Sequence, residues 1–218
     1  MKSKKAAHVK KQAKSGLDEG ALFRAQAEYA HSIFQSSLGN AEASLAALRR
    51  SLACKPDYAP ALMSIGSVEY QMGRRTKGRK LFLSLLSLPN NTPDVITCID
   101  EAGQFLINVR NYRDALELYR AAAARFPKIA VLHQGVGCCA SHEKLFDEAV
   151  AASQQAFELD PGNQELANDL GYSLFEAGRL KEARTFLEKA VAMDPANELA
   201  RTNLALCKKK MLRPKRKE

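Results

Sequence analysis

The chain has 218 residues and a formal net charge of +9, and 46% of its residues are hydrophobic and 26% charged. These fractions are ordinary for a globular protein and argue against wholesale disorder. The charge is uneven, because residues 1–16 contain six lysines and no acid, and residues 208–218 contain seven basic residues and one acid. The two ends therefore carry +6 each, which leaves −3 for residues 17–207. The basic total does not indicate a nucleic-acid-binding domain in the body of the chain.

Several classes of protein are disfavoured by what the sequence lacks. No apolar run approaches the roughly 18–20 residues of a membrane-spanning helix. The lysine-rich N-terminus is not followed by the apolar stretch of a secretory signal. The five cysteines are an odd number and are not spaced like a disulfide framework. We therefore expect a cytoplasmic protein without a transmembrane segment.

A 34-residue period runs through the chain. Pro127, Pro161 and Pro195 are separated by that interval. Three further columns of small residues share it: Gly103, Gly137 and Gly171; Ala115, Ala149 and Ala183; Ala122, Ala156 and Ala190. Four columns with one period predict repeated structural units of about 34 residues.

In chain order, residues 1–16 are predicted to be a basic extension that is disordered or begins a helix. A repeat domain follows at 17–207, with units at about 25–58, 59–95, 96–129, 130–163 and 164–197. The second unit is longer because of three extra residues in the stretch 90–93. A closing helix is predicted at 198–211, where it covers the end of the stack, and a basic tail at 212–218.

Each unit has the pattern of two amphipathic helices, which the fifth unit illustrates. Leu166, Leu170 and Leu174 share one helical face. Gly178 is placed to end this helix, as glycine commonly does. A second helix follows and stops at Pro195. Since two closely packed helices need small residues where their backbones meet, we expect Gly171 to lie against Ala183, the alanine of the second helix.

These features resemble the tetratricopeptide repeat, a 34-residue helix–turn–helix unit with Leu-Gly, then alanines and a proline. The resemblance covers about residues 25–197 and is carried by Leu170-Gly171, Ala183, Ala190 and Pro195 and their equivalents. It departs from the family in the first two units and in the missing tryptophan near the start of each unit. The resemblance implies an all-α fold, a right-handed α-solenoid of about five repeats plus the capping helix.

The resemblance also implies a binding surface, because the first helix of each repeat lines the concave face of such proteins. Carried over position by position, it implies a peptide-binding groove that includes aromatic, amide and acidic side chains but no Lys or Arg. The groove residues are Tyr29, Met63, Ser67, Tyr70, Asp100, Gln104, Asn108, Gln134, Cys138, His142, Asn168, Tyr172 and Phe175. We expect a neutral or basic peptide as the ligand, since amides can hold its backbone and aromatics can anchor it.

Catalysis and metal binding have one local candidate, the cluster His133, Cys138, Cys139 and His142. Cys138 and His142 share a helical face, but His133 lies on the opposite side of the helix, so four ligands cannot converge from it. No phosphate-binding loop, nucleophile elbow or HExxH motif is present. The sequence therefore predicts a non-catalytic protein without a metal or cofactor.

Two functions remain open. The first is an adaptor or scaffold that binds a partner segment in the groove. The second is a nucleic-acid- or ribonucleoprotein-associated factor that uses its basic N- and C-terminal tails. Binding of nucleic acid by the tails would not depend on the nucleotide sequence, because no aromatic residues are interleaved with the basic runs. The sequence does not identify the partner or the oligomeric state.

Overall fold

A computed structural model describes the backbone of residues 2–212 and the side chains of residues 19–212. Within that range the chain forms α-helices and one short 3-10 helix, and no strand. The helices are α1 Lys2–Ser37, α2 Ala41–Cys54, α3 Ala59–Gln71, α4 Arg75–Ser84, α5 Val95–Asn108, α6 Tyr112–Arg125, α7 Ala130–His142, α8 Phe146–Leu159, α9 Gln164–Glu176, α10 Leu180–Met193 and α11 Glu198–Met211; the 3-10 helix is Leu85–Ser87. The predicted all-α fold of paired helices with a closing helix is confirmed.

The helices belong to two compact units, Met1–Ala102 and Gly103–Glu218, and the division falls inside α5. In the first unit α1 packs on α2, α2 on α3, and α3 on α4. In the second unit each helix from α6 to α11 packs on the next along the chain. There α7 also contacts α9, and α9 contacts α11. The first helices of successive repeats therefore lie side by side in the second unit, as in a repeat stack.

The turn inside each of the five helical pairs has the same backbone geometry. The second residue after the first helix has a positive φ in every pair: Gly39, Gly73, Arg110, Lys144 and Gly178, with φ between 58° and 80°. The next residue donates its N–H to the carbonyl five residues earlier, as Arg179 does to Leu174 at 2.9 Å. This left-handed turn ends a helix in a Schellman motif. Sequence reasoning identified it only at Gly178.

Small residues bring the paired helices into contact, although not always opposite the expected partner. A Cβ on Gly171 would lie 2.7 Å from Cγ of Leu187. The nearest neighbour of Gly171 is therefore Leu187, one helical turn after the expected Ala183. In α5 and α7, Gly103 and Gly135 both lie against the ring of Tyr119. These two glycines leave room for a tyrosine that is fully buried.

The helices α3 and α4 approach through two glycines. A Cβ on Gly78 would lie 2.6 Å from the carbonyl oxygen of Gly66, and a Cβ on Gly66 would lie 2.5 Å from the ring of Phe82. Real Cβ atoms do not approach other atoms so closely. On helix propensity alone, a glycine inside a helix is unfavourable relative to alanine. The structure adds that no larger residue fits there.

A fully buried carboxylate on α3 is bonded to basic residues at the start of α4 and just before it. Glu69 of α3 has no exposed side-chain surface, and it accepts hydrogen bonds from Arg74 and, at 2.6 Å, from Nζ of Lys77. These bonds hold the pKa of Glu69 below its usual value. The side chains of Arg74 and Lys77 remain partly exposed to solvent. They therefore neutralise the charge of Glu69 without a second charge being buried.

The closing helix α11 covers the apolar side of the fifth repeat. Ala200 and Cys207 are fully buried among the leucines of α9 and α10, and Asn203 lies between them. Asn197 caps the start of α11 by accepting the N–H of Ala200 at 3.0 Å. The last repeat is thus shielded from water, as the stack requires.

Candidate functional site

In the first unit, the predicted groove residue Tyr29 of α1 contacts side chains at and just before α3, whereas the hydrogen bond of Ser67 lies within α3. The ring of Tyr29 meets that of Tyr58 edge to face at 5.7 Å, and its hydroxyl lies 3.4 Å from Oγ of Ser64. Met63 and Ser67 are half-buried on α3, where the Ser67 hydroxyl donates to the Met63 carbonyl at 3.3 Å. Asp100 is half-buried on α5. Among these, Tyr29, Met63 and Ser67 present part of their side chains to solvent.

Tyr70 does not line an accessible groove. Its side chain is 5% exposed, and its ring lies 6.3 Å from that of Phe82. Its Cβ packs close to Gly78 on α4. The close approach of α3 and α4 therefore turns Tyr70 into a core residue. The assignment of Tyr70 as a ligand anchor is corrected accordingly.

In the second unit, α5, α7 and α9 present most of the predicted groove residues to solvent. Gln104, Asn108, Cys138 and His142 are exposed, and Gln134 and Phe175 are half-buried. Tyr172 is 38% exposed. The Gln104 amide donates to the hydroxyl of the buried Tyr119 at 3.3 Å, which fixes its orientation. These predicted groove residues of α5, α7 and α9 are called here the groove surface.

Asn168 is the exception in this unit. It is 5% exposed, and its Oδ1 accepts a hydrogen bond from Nδ2 of Asn203 at 3.0 Å. This buried bond joins α9 to α11, so the amide of Asn168 serves the contact between the two helices. The prediction that Asn168 holds a peptide backbone is corrected for this reason.

The aromatic end of the groove surface lies on α9. The rings of Tyr172 and Phe175 are 6.1 Å apart, and Nζ of Lys210 on α11 lies 4.5 Å from the centre of the Phe175 ring. The Lys210 ammonium group covers the Phe175 ring, whereas the Tyr172 side chain remains partly exposed to solvent. Partial burial raises the pKa of the Tyr172 hydroxyl, and Glu176 adds to the effect. At neutral pH this hydroxyl is therefore a hydrogen-bond donor.

The Cys and His side chains of α7 point in different directions. The ring of His142 stacks on that of Tyr112 at 3.9 Å, and His133 contacts the carbonyl of Pro127 at 2.9 Å. Cys139 is fully buried, which raises its pKa to about 12. Desolvation and the Asp169 carboxylate raise the pKa of the exposed Cys138. Among residues 19–212, no group of three or more His, Cys, Asp or Glu side chains could hold a metal ion.

A polar recess opens beside the groove surface where α9 begins. Its volume is about 190 Å³, and it is lined by Gln134, Gln164, Glu165, Asn168, Asp169, Asn197 and Leu199. Sequence reasoning selected Gln134 and Asn168 but missed Gln164, Asp169, Asn197 and Leu199 as site residues. The available signal was the spacing of two carboxylates, since Glu165 and Asp169 are four residues apart and share a helical face.

The prediction for the basic tails falls largely on residues outside the described range. The side chains of residues 1–18 and all of residues 213–218 lie outside it. Within it, Lys208 forms an ion pair with Glu188 at 3.1 Å, and Lys210 lies over Phe175. Two of the three lysines that end α11 therefore make contacts within the chain.

Comparison with known proteins identifies the repeat. Residues 140–207 match the family model described as tetratricopeptide repeat. The protein YrrB, described as a tetratricopeptide-repeat protein with an unusual peptide-binding site, is similar in structure with a TM-score of 0.56. It is 20% identical, over 80% of this chain and 89% of YrrB. Residues 140–207 are therefore a tetratricopeptide-repeat segment.

Another solved structure shares the fold of this chain. MamA (residues 41 to the end) from Desulfovibrio magneticus RS-1 gives a TM-score of 0.56 at 19% identity, over 80% of this chain and 97% of that one. Identities this low show the fold alone.

Two curated relatives also contain tetratricopeptide repeats. The small glutamine-rich tetratricopeptide repeat-containing protein 2 of Mycosarcoma maydis is 29% identical over 109 residues, which are 50% of this chain and 31% of the relative. Tetratricopeptide repeat protein 21B of Mus musculus is 28% identical over 109 residues, or 50% of this chain and 8% of the relative. The chain therefore matches less than a third of the length of either relative.

In residues 2–212, none of the helices has the length and apolar composition needed to cross a membrane.

Proposed function

We propose that this protein is a non-catalytic adaptor that binds a segment of a partner protein on the groove surface of α5, α7 and α9. The observation that carries the proposal is the row of exposed and half-exposed amides and aromatics on these helices, notably Gln104, Gln134 and Tyr172. Amides can donate to and accept from a peptide backbone, and a partly open tyrosine is a typical anchor of a binding surface. The peptide-binding site reported for YrrB supports the same use of this fold.

The segment that fits this surface is neutral or basic. The predicted groove residues include Asp100 but no Lys or Arg, and the neighbouring recess contains Glu165 and Asp169. An acidic segment would meet these carboxylates and be repelled. We place the adaptor in the cytoplasm, since all five cysteines are unpaired, which suits a reducing compartment.

The proposal is tested by selecting peptides from a random display library with the intact chain. Affinities of the selected peptides are then measured for the variants Gln104→Ala and Tyr172→Ala. The matched control is Gln155→Ala, an exposed glutamine on the second helix of its repeat. We expect the affinity to fall at least tenfold for Tyr172→Ala, severalfold for Gln104→Ala, and to stay unchanged for Gln155→Ala.

A failure to enrich any peptide would contradict the proposal, as would equal affinity for all three variants. Removal of residues 1–16 and 212–218 separates this activity from the tails. We expect peptide affinity to be retained after that removal, because none of the groove residues lies in the removed segments.

A further inference from the structure

The recess at the start of α9 has the size of a site for one side chain. Pockets that enclose whole small ligands usually measure about 300–1,000 Å³, whereas this recess measures about 190 Å³. A helix or a nucleotide does not fit into it. A single long side chain from a segment lying on the adjacent groove surface does.

Among the residues that the structure describes, the hydrogen-bond and charge partners of the Asp169 carboxylate in this recess include no cation. Asp169 accepts hydrogen bonds from Nε2 of Gln134 at 2.8 Å and from Nδ2 of Asn168 at 3.5 Å, and both donors are neutral amides. None of the described residues that line the recess is Lys or Arg. Burial raises the pKa of Asp169, and the Glu165 carboxylate raises it further. A desolvated carboxylate with neutral partners only is an unfavourable state that a cation would relieve.

The neighbouring Glu165 is exposed and adds a second carboxylate to the lining of the recess. Glu165 and Asp169 are four residues apart on α9, so their negative charges repel across one helical turn. Asn163, which begins the helix, uses its Oδ1 to accept the N–H groups of Glu165 and Leu166 at 2.9 and 3.4 Å. The two carboxylates are therefore held on a capped and fixed turn, where one cation can interact with both.

Gln164 supplies a free donor in the same recess. Its Oε1 accepts a hydrogen bond from Nδ2 of Asn197 at 3.0 Å, whereas its Nε2 is buried and has no hydrogen-bond partner among the described residues. A buried N–H group without an acceptor is costly. The recess thus offers a place for a cation at the carboxylates and a place for an acceptor, such as a carbonyl oxygen, at Gln164.

We propose that this recess binds an arginine side chain of the partner segment. The guanidinium lies against Asp169 and Glu165, and the amide of Gln164 donates to a backbone carbonyl oxygen of the same segment. Arginine suits the recess better than lysine, because its planar fork presents several donors to two carboxylates and is more weakly hydrated than an ammonium group. This inference rests on the proposed function and adds an arginine to the peptide that the groove surface binds.

The test uses the intact, isotope-labelled chain and three small probes. N-acetyl-L-arginine amide is titrated while backbone amide signals are recorded by NMR. N-acetyl-L-citrulline amide has nearly the same shape without the charge, and N-acetyl-L-lysine amide has the charge without the fork. We expect the arginine probe to cause saturable shifts at residues 164–169 and 197–199. Its affinity should be at least tenfold higher than that of the citrulline probe and severalfold higher than that of the lysine probe.

Two variants complete the test. Asp169→Asn is expected to lower the affinity for the arginine probe at least tenfold, and Glu165→Gln severalfold. The control Asp147→Asn removes an exposed carboxylate on α8 and should change nothing. Equal binding of arginine and citrulline by the unaltered chain would overturn the inference without reliance on any variant. So would unchanged arginine affinity in both Asp169→Asn and Glu165→Gln.

The outcomes separate this inference from the proposed function. If selected peptides bind in a Tyr172-dependent manner but the arginine probe does not bind the recess, the inference fails and the adaptor function stands. If the arginine probe binds the recess but no peptide is enriched, the adaptor function fails and the recess remains a guanidinium site.

Discussion

Glycine positions in the paired helices are determined by backbone contact. In α3 and α4, Gly78 and Gly66 lie so close that a Cβ on Gly78 would meet the Gly66 carbonyl oxygen at 2.6 Å. The preference of helices for alanine over glycine amounts to about 1 kcal/mol. Contact with a backbone atom cannot be relieved by rotation of a side chain, so it outweighs that preference.

We therefore predict that Gly78→Ala lowers the free energy of unfolding by about 1–3 kcal/mol, against the helix propensity. The matched control is Gly20→Ala in α1, where the nearest atom to the new Cβ is a flexible Arg24 nitrogen at 3.7 Å. That variant should be neutral or stabilising by up to about 1 kcal/mol. Urea unfolding of both variants measures the difference. Stabilisation by Gly78→Ala would contradict the packing of α3 against α4.

A second prediction at this scale concerns the thiol of Cys138. Burial raises the pKa of Cys138, and the Asp169 carboxylate raises it further, because a thiolate near a negative charge is disfavoured. Removing that charge in Asp169→Asn should lower this pKa and raise the alkylation rate at neutral pH, where a larger fraction becomes thiolate. The measurement is the pH dependence of iodoacetamide labelling in a Cys54→Ser background. An unchanged profile would mean that Asp169 does not act on the groove surface.

The exact neighbours of individual side chains could not be predicted from the sequence. The period predicted which positions must be small, but Gly171 lies against Leu187 because the exact offset of two helices is set by all their side chains together. Family register placed Tyr70 and Asn168 on the groove side, yet both are buried by neighbours that the register does not describe, Phe82 and Asn203. Burial depends on the packing of the neighbouring helix, which a position within one repeat does not encode.

At the scale of the helical pair, one turn geometry is used five times. The left-handed residue is glycine in three pairs, but Arg110 and Lys144 adopt it with φ of 58° and 62°. A residue with a Cβ pays roughly 1–2 kcal/mol for this conformation, which glycine does not. The helices and their order could be predicted from the hydrophobic period. The turn at Arg110 and Lys144 could not, because neither residue type signals a positive φ.

We predict that Lys144→Gly raises the free energy of unfolding by about 0.5–1 kcal/mol, because it removes this strain at an exposed position. The reciprocal variant Gly178→Ala should lower the free energy of unfolding by about 1 kcal/mol or more. Thermal and urea unfolding report both. Destabilisation by Lys144→Gly would show that the lysine side chain makes a contact that outweighs the backbone strain.

At the scale of the whole molecule, charge and binding chemistry are separated along the sequence. The basic residues that produce the +9 total lie mainly at the two ends, whereas residues 17–207 are mildly acidic. The groove surface belongs to that acidic body, and the recess beside it adds two carboxylates. A neutral or basic segment with an arginine is therefore the partner that the body of the molecule favours.

The direct test of this account is the location of a bound peptide on the molecule. A peptide selected with the intact chain is titrated into isotope-labelled protein, and the shifted backbone amides are assigned by NMR. We predict that the shifts cluster on residues 103–108 of α5, on α7 and on α9, with the recess residues 164–169 among them. Shifts confined to the second helices α6, α8 and α10, or to α1, would contradict the claim that the groove surface of α5, α7 and α9 binds the partner.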